Sequence, residues 1–198
     1  ESLERYEQAN RVTFDVLWDW DIASDTVTRT RNFPLVFGYD AATFPATIEA
    51  WYERLHPDDL GRVRDSLADA LESTRDSWSD HYRFRCQDGH WADIEDRAAI
   101  SRDPDGRPVR GIGARQDVTE RRRAEEELRR LSMAVEQSSA MVVISDAAGR
   151  IEYVNPRFTT VTGWALEEAR GRDAGFLAIK DRAADDHRVI WSTISAGR

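Results

Sequence analysis

Shifted by 125 residues, the chain falls onto itself without a gap. Asp21 meets Asp146, Phe33 meets Phe158, Val36 meets Val161, Gly38 meets Gly163 and Tyr39 meets Trp164. A repeat constrains a fold more than any single motif, because each copy must then be one supersecondary unit with a core of its own kind. Both copies read in the same order: an apolar strand, a turn, a second strand, a short helix and a glycine–aromatic break. The turns are Ala23-Ser24-Asp25 and Ala147-Ala148-Gly149, which supply the small and acidic residues a hairpin needs.

Between the two starts, the first copy runs longer. Val16 to Asp21 alternates, with Val16, Trp18 and Trp20 on one side, and predicts a half-buried strand. Thr26 to Thr30 is β-rich and pairs with it as a hairpin. Arg31 to Phe37 predicts a short helix stopped by Gly38, and Ile48 to Leu55 another helical turn or two. His56-Pro57-Asp58-Asp59 then starts a helix whose apolar stripe is Leu60, Val63, Leu67, Ala70 and Leu71. Trp78, Tyr82, Phe84 and Cys86 share one face of the next strand. Gln87-Asp88-Gly89-His90 turns the chain into Trp91 to Ser101, and a turn over Asp103 to Pro108 leads to a last strand, Val109 to Val118. Two strands, several short helices and a three-strand meander give an α+β fold: a five-stranded antiparallel sheet with helices on one face.

The N-terminus is charged from its first residues, which does not suit a signal peptide, and Ser2 to Val12 is helix-permissive with Leu3, Tyr6 and Ala9 on one face. The longest apolar run, Ala140 to Ile144, is too short to span a bilayer. One cysteine, Cys86, excludes an internal disulfide framework and fits a cytoplasmic setting. A net charge of −9 argues against nucleic acid and anionic lipid as partners.

These residues resemble the PAS family of sensory domains, over Phe14 to Val118 in the first copy. Leu17-Trp18-Asp19-Trp20-Asp21 is similar to the first strand of one PAS subclass, and Leu55-His56-Pro57-Asp58-Asp59 to its helix junction. Gly106 to Gly113, running into Gln116-Asp117-Val118-Thr119-Glu120-Arg121, resembles its C-terminal strand and exit motif. In the second copy Tyr153 to Phe158 and Thr162-Gly163-Trp164 resemble the family's second strand and first helix, but the chain stops after a helix ending near Ile194. The organisation expected is an N-terminal helix (1–13), a first PAS domain (14–118), a linker helix (119–138) and a partial second PAS copy (139–198). Its remaining strands are expected from a longer protein or from another chain.

The candidate chemistry is sparse. His56 with Asp58 and Asp59 reads better as a helix start than as an acid/base set, since no nucleophile accompanies it. The light-sensing PAS subclass forms a flavin adduct through a cysteine, and the matching position here is Ala174, so that adduct is excluded. Non-covalent FAD stays open by the same resemblance. Haem-binding members use a histidine on the long helix, which points to His187, against the simpler reading of a solvated helix residue. Trp78, Tyr82, Phe84 and Arg115 are the candidate lining of a small-molecule pocket, although an aromatic strand face is core by default. Arg115 lies where the light-sensing subclass has an inward glutamine, and strand parity alone leaves open whether it faces a ligand or solvent. Cys86 reads as a small apolar residue.

The stretch Asp117-Val118-Thr119 joins the last strand to a charged run. Thr119 is a plausible N-cap, and Ala124, Leu128, Leu131 and Val135 follow at spacings of 4, 3 and 4, a coiled-coil seam. Glu125 with Arg129 and Glu126 with Arg130 are i,i+4 pairs. In the resembling family this junction couples the sheet to the helix, with Asp117 paired to an arginine. The expected function is a tandem sensory module, relaying a signal through the linker to an output domain such as a histidine kinase or diguanylate cyclase. Two alternatives stand beside it: a ligand-free dimerisation and protein-interaction module, and a redox or gas sensor using FAD or haem in the second copy. A homodimer through the linker and N-terminal helices is expected, and no residue set supports a free-standing enzyme.

Overall fold

The computed structural model describes residues 15–173. The chain divides into two compact units, Glu1–Ala124 and Glu125–Arg198. The expected N-terminal helix and the candidate positions Ala174 and His187 lie outside the described residues.

In the first unit β1 (Val16–Asp21) and β2 (Thr26–Arg29) form a hairpin. Three helices follow: α1 (Asn32–Phe37), α2 (Ile48–Tyr52) and α3 (Pro57–Glu72). The meander is β3 (Ser77–Arg85), β4 (Trp91–Arg102) and β5 (Pro108–Asp117). The five strands lie in the order β2-β1-β5-β4-β3, antiparallel throughout, so the first hairpin inserts its β1 edge against the last strand.

Local chemistry explains the breaks. Gly38 ends α1 in the left-handed region at φ 78°, and its amide reaches the carbonyl of Pro34. The α2 helix stops at Tyr52, three residues earlier than the sequence suggests, because His56 is already extended and caps the next helix. Its Nδ1 accepts from the amide of Asp58 at 3.3 Å, and Pro57 occupies the first turn. The adjacent Asp59 carboxylate receives the Arg83 side chain at 2.9 and 3.0 Å and the Arg83 amide at 3.0 Å, tying the start of α3 to β3.

Alternation sorts the sheet into two faces. Trp18, Trp20, Tyr82, Phe84, Ala92, Ile94, Ala98 and Ile100 point into the core, where Trp51 of α2 stacks on Phe84 at 3.9 Å and 14°. Trp18 lies opposite Gly113 of β5, where a Cβ would stand 2.4 Å from the Arg97 carbonyl and 2.5 Å from the indole. Only glycine lets that indole lie across the strand.

A single helix, α4 (Thr119–Glu136), follows β5. The second unit then repeats the first hairpin as β6 (Val143–Ser145) and β7 (Ile151–Val154), followed by α5 (Pro156–Thr162) and α6 (Leu166–Ala169). The repeat is visible in the backbone. Gly163 ends α5 at φ 78°, as Gly38 ends α1, and Phe33 and Phe158 are both fully buried. Asp21 and Asp146 each accept backbone amides in their own turn.

Candidate functional site

The inward face of the sheet carries one cluster of polar groups. Asp96 stands on β4 between Ile94 and Ala98 and directly opposite Arg115 on β5. Both are buried, at 0% and 2% exposure, and Arg115 Nε donates to Asp96 Oδ2 at 2.8 Å. The Tyr82 hydroxyl donates to the same oxygen at 2.6 Å, and the Trp18 indole N–H to Oδ1 at 2.9 Å. The guanidinium lies 3.6 Å from the centroid of Trp51 and 4.7 Å from that of Trp18. Burial opposes the charge on Arg115, but Asp96 and Tyr82 outweigh it and raise its pKa. Burial, reinforced by Asp96, pushes the Tyr82 hydroxyl well above its ordinary value, so it stays a donor.

The β4–β5 register therefore turns Arg115 inward, opposite Asp96. Tyr82, Phe84 and Arg115 all contact or flank Trp51, which the sequence reading did not single out. Trp78 lies apart from them. Its indole N–H donates to Ser66 at 3.0 Å, and it lines a surface depression of about 620 Å³ with Ser66, Ser77 and Arg97. Asp96 was missed as well. Its signal was available: it is the one acid in the inward series Ala92, Ile94, Asp96, Ala98, Ile100, and it faces an arginine.

The strand-to-helix junction forms a second constellation. Asp117 accepts from the amide of Thr119 at 2.9 Å and from its hydroxyl at 2.5 Å. The Thr119 hydroxyl in turn accepts the Asp93 amide at 2.8 Å, and the Val118 amide reaches the Asp93 carbonyl at 2.8 Å. Thr119 is thus not the N-cap expected of it: it is already the first helical residue, its hydroxyl is shared between β4 and Asp117, and the Asp117 carboxylate accepts its amide. No arginine pairs with Asp117 among the described residues. The arginines beyond it reach the outer face of the sheet, Arg121 to Glu95 at 3.3 Å and Arg122 to Asp93 at 3.4 Å and to the ring nitrogens of His81. Burial, then Arg122, lowers the His81 pKa.

Along α4 the seam residues Ala124, Leu128 and Leu131 are exposed, Leu128 at 68% and Leu131 at 58%, while Val135 is half-buried. The i,i+4 pairs Glu125–Arg129 and Glu126–Arg130 are not closed; the ion pair on this helix is Arg123–Glu120 at 3.2 Å. At its far end, in the second unit, Asn155 is fully buried and uses its whole side chain. Its Nδ2 donates to the carbonyls of Val135 and Ala140 at 3.0 Å each, and its Oδ1 accepts from Val142 and Phe158 at 2.9 and 3.1 Å.

Cys86 is buried, and burial pushes its thiol up to about 11, so it is protonated at neutral pH. His56 is occupied as a cap and meets Trp91 edge-on at 4.7 Å. Among the described residues no group of three or more metal-ligating side chains converges, and no helix is long and apolar enough to cross a membrane.

Comparison with known proteins gives both repeats a family. A family model described as PAS fold covers residues 26–115, and one described as PAS domain covers 129–194. A solved structure of a sensory box histidine kinase/response regulator from Burkholderia thailandensis is 30% identical with a TM-score of 0.57, over 68% of this chain and 99% of that one. The chain belongs to the PAS family. Two curated relatives extend the likeness of this PAS chain. A two-component sensor, PprA of Pseudomonas aeruginosa, is 32% identical over 153 residues, 73% of this chain and 16% of the relative. The Escherichia coli protein named "Probable diguanylate cyclase DgcE" is 27% identical over 184 residues, 85% of this chain and 15% of the relative. The PAS chain thus spans about a sixth of the length of these relatives.

Proposed function

We propose that this chain is a tandem PAS sensory module, which relays a change in its first domain through the α4 helix to an output domain of histidine kinase or diguanylate cyclase type. The domains on this reading are 14–118, a linker at 119–138 and a second copy at 139–198, in a cytoplasmic location. One observation carries the reading: β5 runs into α4 through a junction whose residues, Asp117, Val118 and Thr119, are all bonded to one another or to β4. A strand shift in the sheet then has to move the helix start. The relatives named for two-component and cyclase signalling support the output class.

The test is Asp117→Ala in the full-length parent protein. Loss of regulated output with the first domain still folded is expected; unchanged regulation sinks the reading. The exposed Leu128 and Leu131 favour a second reading, a ligand-free dimerisation element assembled along the linker. Sedimentation of Leu128→Asp/Leu131→Asp beside the parent chain tests it: a shift from dimer to monomer is expected, and a parent chain that is already monomeric rejects it.

A further inference from the structure

The interior of the first domain holds more positive charge than it balances. Three guanidiniums approach one aromatic cluster. Arg115 lies against Trp51; Arg29 lies 5.3 Å from the Phe33 centroid and 4.8 Å from that of Phe44; Arg54 lies 4.4 Å from Phe44 and 5.3 Å from Tyr39. The rings that connect them, Phe33, Phe37 and Trp51, are in continuous contact at 5.5 and 5.7 Å. Asp96 answers Arg115, and the exposed Glu53 reaches Arg54 at 3.4 Å. Arg29 meets no carboxylate among the described residues, and its guanidinium reaches only the backbone oxygens of Val27, Pro45 and Thr47, at 3.3 to 3.5 Å.

Two of these groups are also short of acceptors. Arg115 Nη1 and Arg29 Nε are buried without a hydrogen-bond partner, and the Arg115 side chain is 98% buried. Burial, then repulsion from Arg115 and Arg54, lowers Arg29 to about 10. Buried cations without counter-charge are costly, and an unsatisfied buried donor adds to the cost. A ligand that brings both a negative charge and acceptor oxygens removes both costs at once, and the aromatic lining selects an apolar body behind that head.

We infer that the first domain binds a small organic carboxylate, its head group among Arg29, Arg54 and Arg115 and its apolar part against Phe33 and Trp51. The inference rests on the sensory reading above and names the class of its input. Phe44, against both Arg29 and Arg54, is the ring an incoming carboxylate displaces.

The full 198-residue chain is titrated with phenylacetate, hexanoate, phenyl phosphate and the neutral phenylacetamide, followed by calorimetry, tryptophan fluorescence and thermal melting. Saturable binding of phenylacetate or hexanoate, with a raised Tm and no binding of phenylacetamide, is expected. Arg29→Met and Arg54→Met should each weaken that binding roughly tenfold or more, the loss of one charge-assisted contact. Both should melt as folded proteins without ligand, Arg29→Met no lower than the parent. Absence of saturable binding by both carboxylates, equal binding of the amide, preference for phenyl phosphate, or unchanged affinity in both variants overturns the inference. Hydrogen exchange over 119–124 in the ligand-free Asp117→Ala variant reads the junction separately. A failed titration with an altered junction therefore rejects the ligand class and leaves the relay standing.

Discussion

The amide of Asp93 donates to the hydroxyl of Thr119 at 2.8 Å, joining β4 to the first residue of the linker helix across 26 positions of sequence. That bond turns the helix start into part of the sheet. Thr119→Val keeps the shape of the side chain and removes the acceptor, leaving the Asp93 amide without its partner. The expected cost is about 1–3 kcal/mol, the penalty for an unsatisfied buried donor, read as a lower midpoint in urea with an unchanged slope. Amides at 119–124 should also exchange faster. A variant as stable and as protected as the parent would show that the junction is not braced this way.

Arg115 and Asp96 are coupled through burial, and the two single substitutions should behave unlike the double. Arg115→Met leaves the Asp96 carboxylate buried with only Tyr82 and Trp18 as donors, and should cost about 3–5 kcal/mol. Replacing both, Arg115→Met with Asp96→Leu, removes the stranded charge and should recover most of that loss. A double-mutant cycle in urea measures the difference, and additive single effects would sink the pairing.

How much of this was legible in the sequence follows from which interactions are local. The strands of the first unit declare themselves by alternation, and Gly38 and Gly163 mark helix ends because a left-handed residue has few alternatives to glycine. The meander followed from the same pattern, whereas the place of β5 between β1 and β4 came only with the fold. The interior cluster was half legible. Tyr82 and Phe84 sit where their spacing puts them, but Arg115 could be turned inward only once its opposite number was known, and that depends on the β4–β5 register. Trp51 escaped notice because a five-residue helix is too short to show a stripe. Thr119 misled for a related reason: a threonine before a helix reads as a cap, and only the fold reveals that β4 claims its hydroxyl.

His81 should make the outer junction sensitive to pH. Its ring faces Arg122 and Asp93, with Arg62, Asp59 and Glu95 also near enough to act on one or another of these charges. The folded pKa is lowered, first by burial and then by Arg122, so the folded state prefers the neutral ring. The unfolded chain, or a junction swung away from the sheet, takes up its proton at about 6.5. The sign follows: the contribution is whole above that pH and is lost as pH falls toward and through the lowered folded value. Exchange over 119–124 should therefore accelerate between pH 7.5 and pH 5.5, measured after correction for intrinsic rates, and His81→Gln should flatten the change. An equal pH response in the variant would assign it elsewhere.

Asn155 gives the sharpest test of the second unit, because both donors and both acceptor directions of its amide are used and the residue is fully buried. Its two donor bonds hold the carbonyl of Val135, at the end of α4, and that of Ala140 in the segment leading to β6. Its oxygen holds the amides of Val142 and Phe158, the latter capping α5. Asn155→Ala removes all four and should cost about 1–3 kcal/mol, with amide protection lost at 142 and 158. Asn155→Asp keeps the acceptor and loses both donors, so it brings a carboxylate against the carbonyls of Val135 and Ala140. It should be worse than alanine at pH 7, because the charge is buried beside two acceptors. The gap should close as the pH is lowered toward about 4 and the acid becomes a donor again. Urea midpoints of the two variants across that range decide the matter, and a variant order that never changes with pH would mean that the amide does not hold the linker carbonyl.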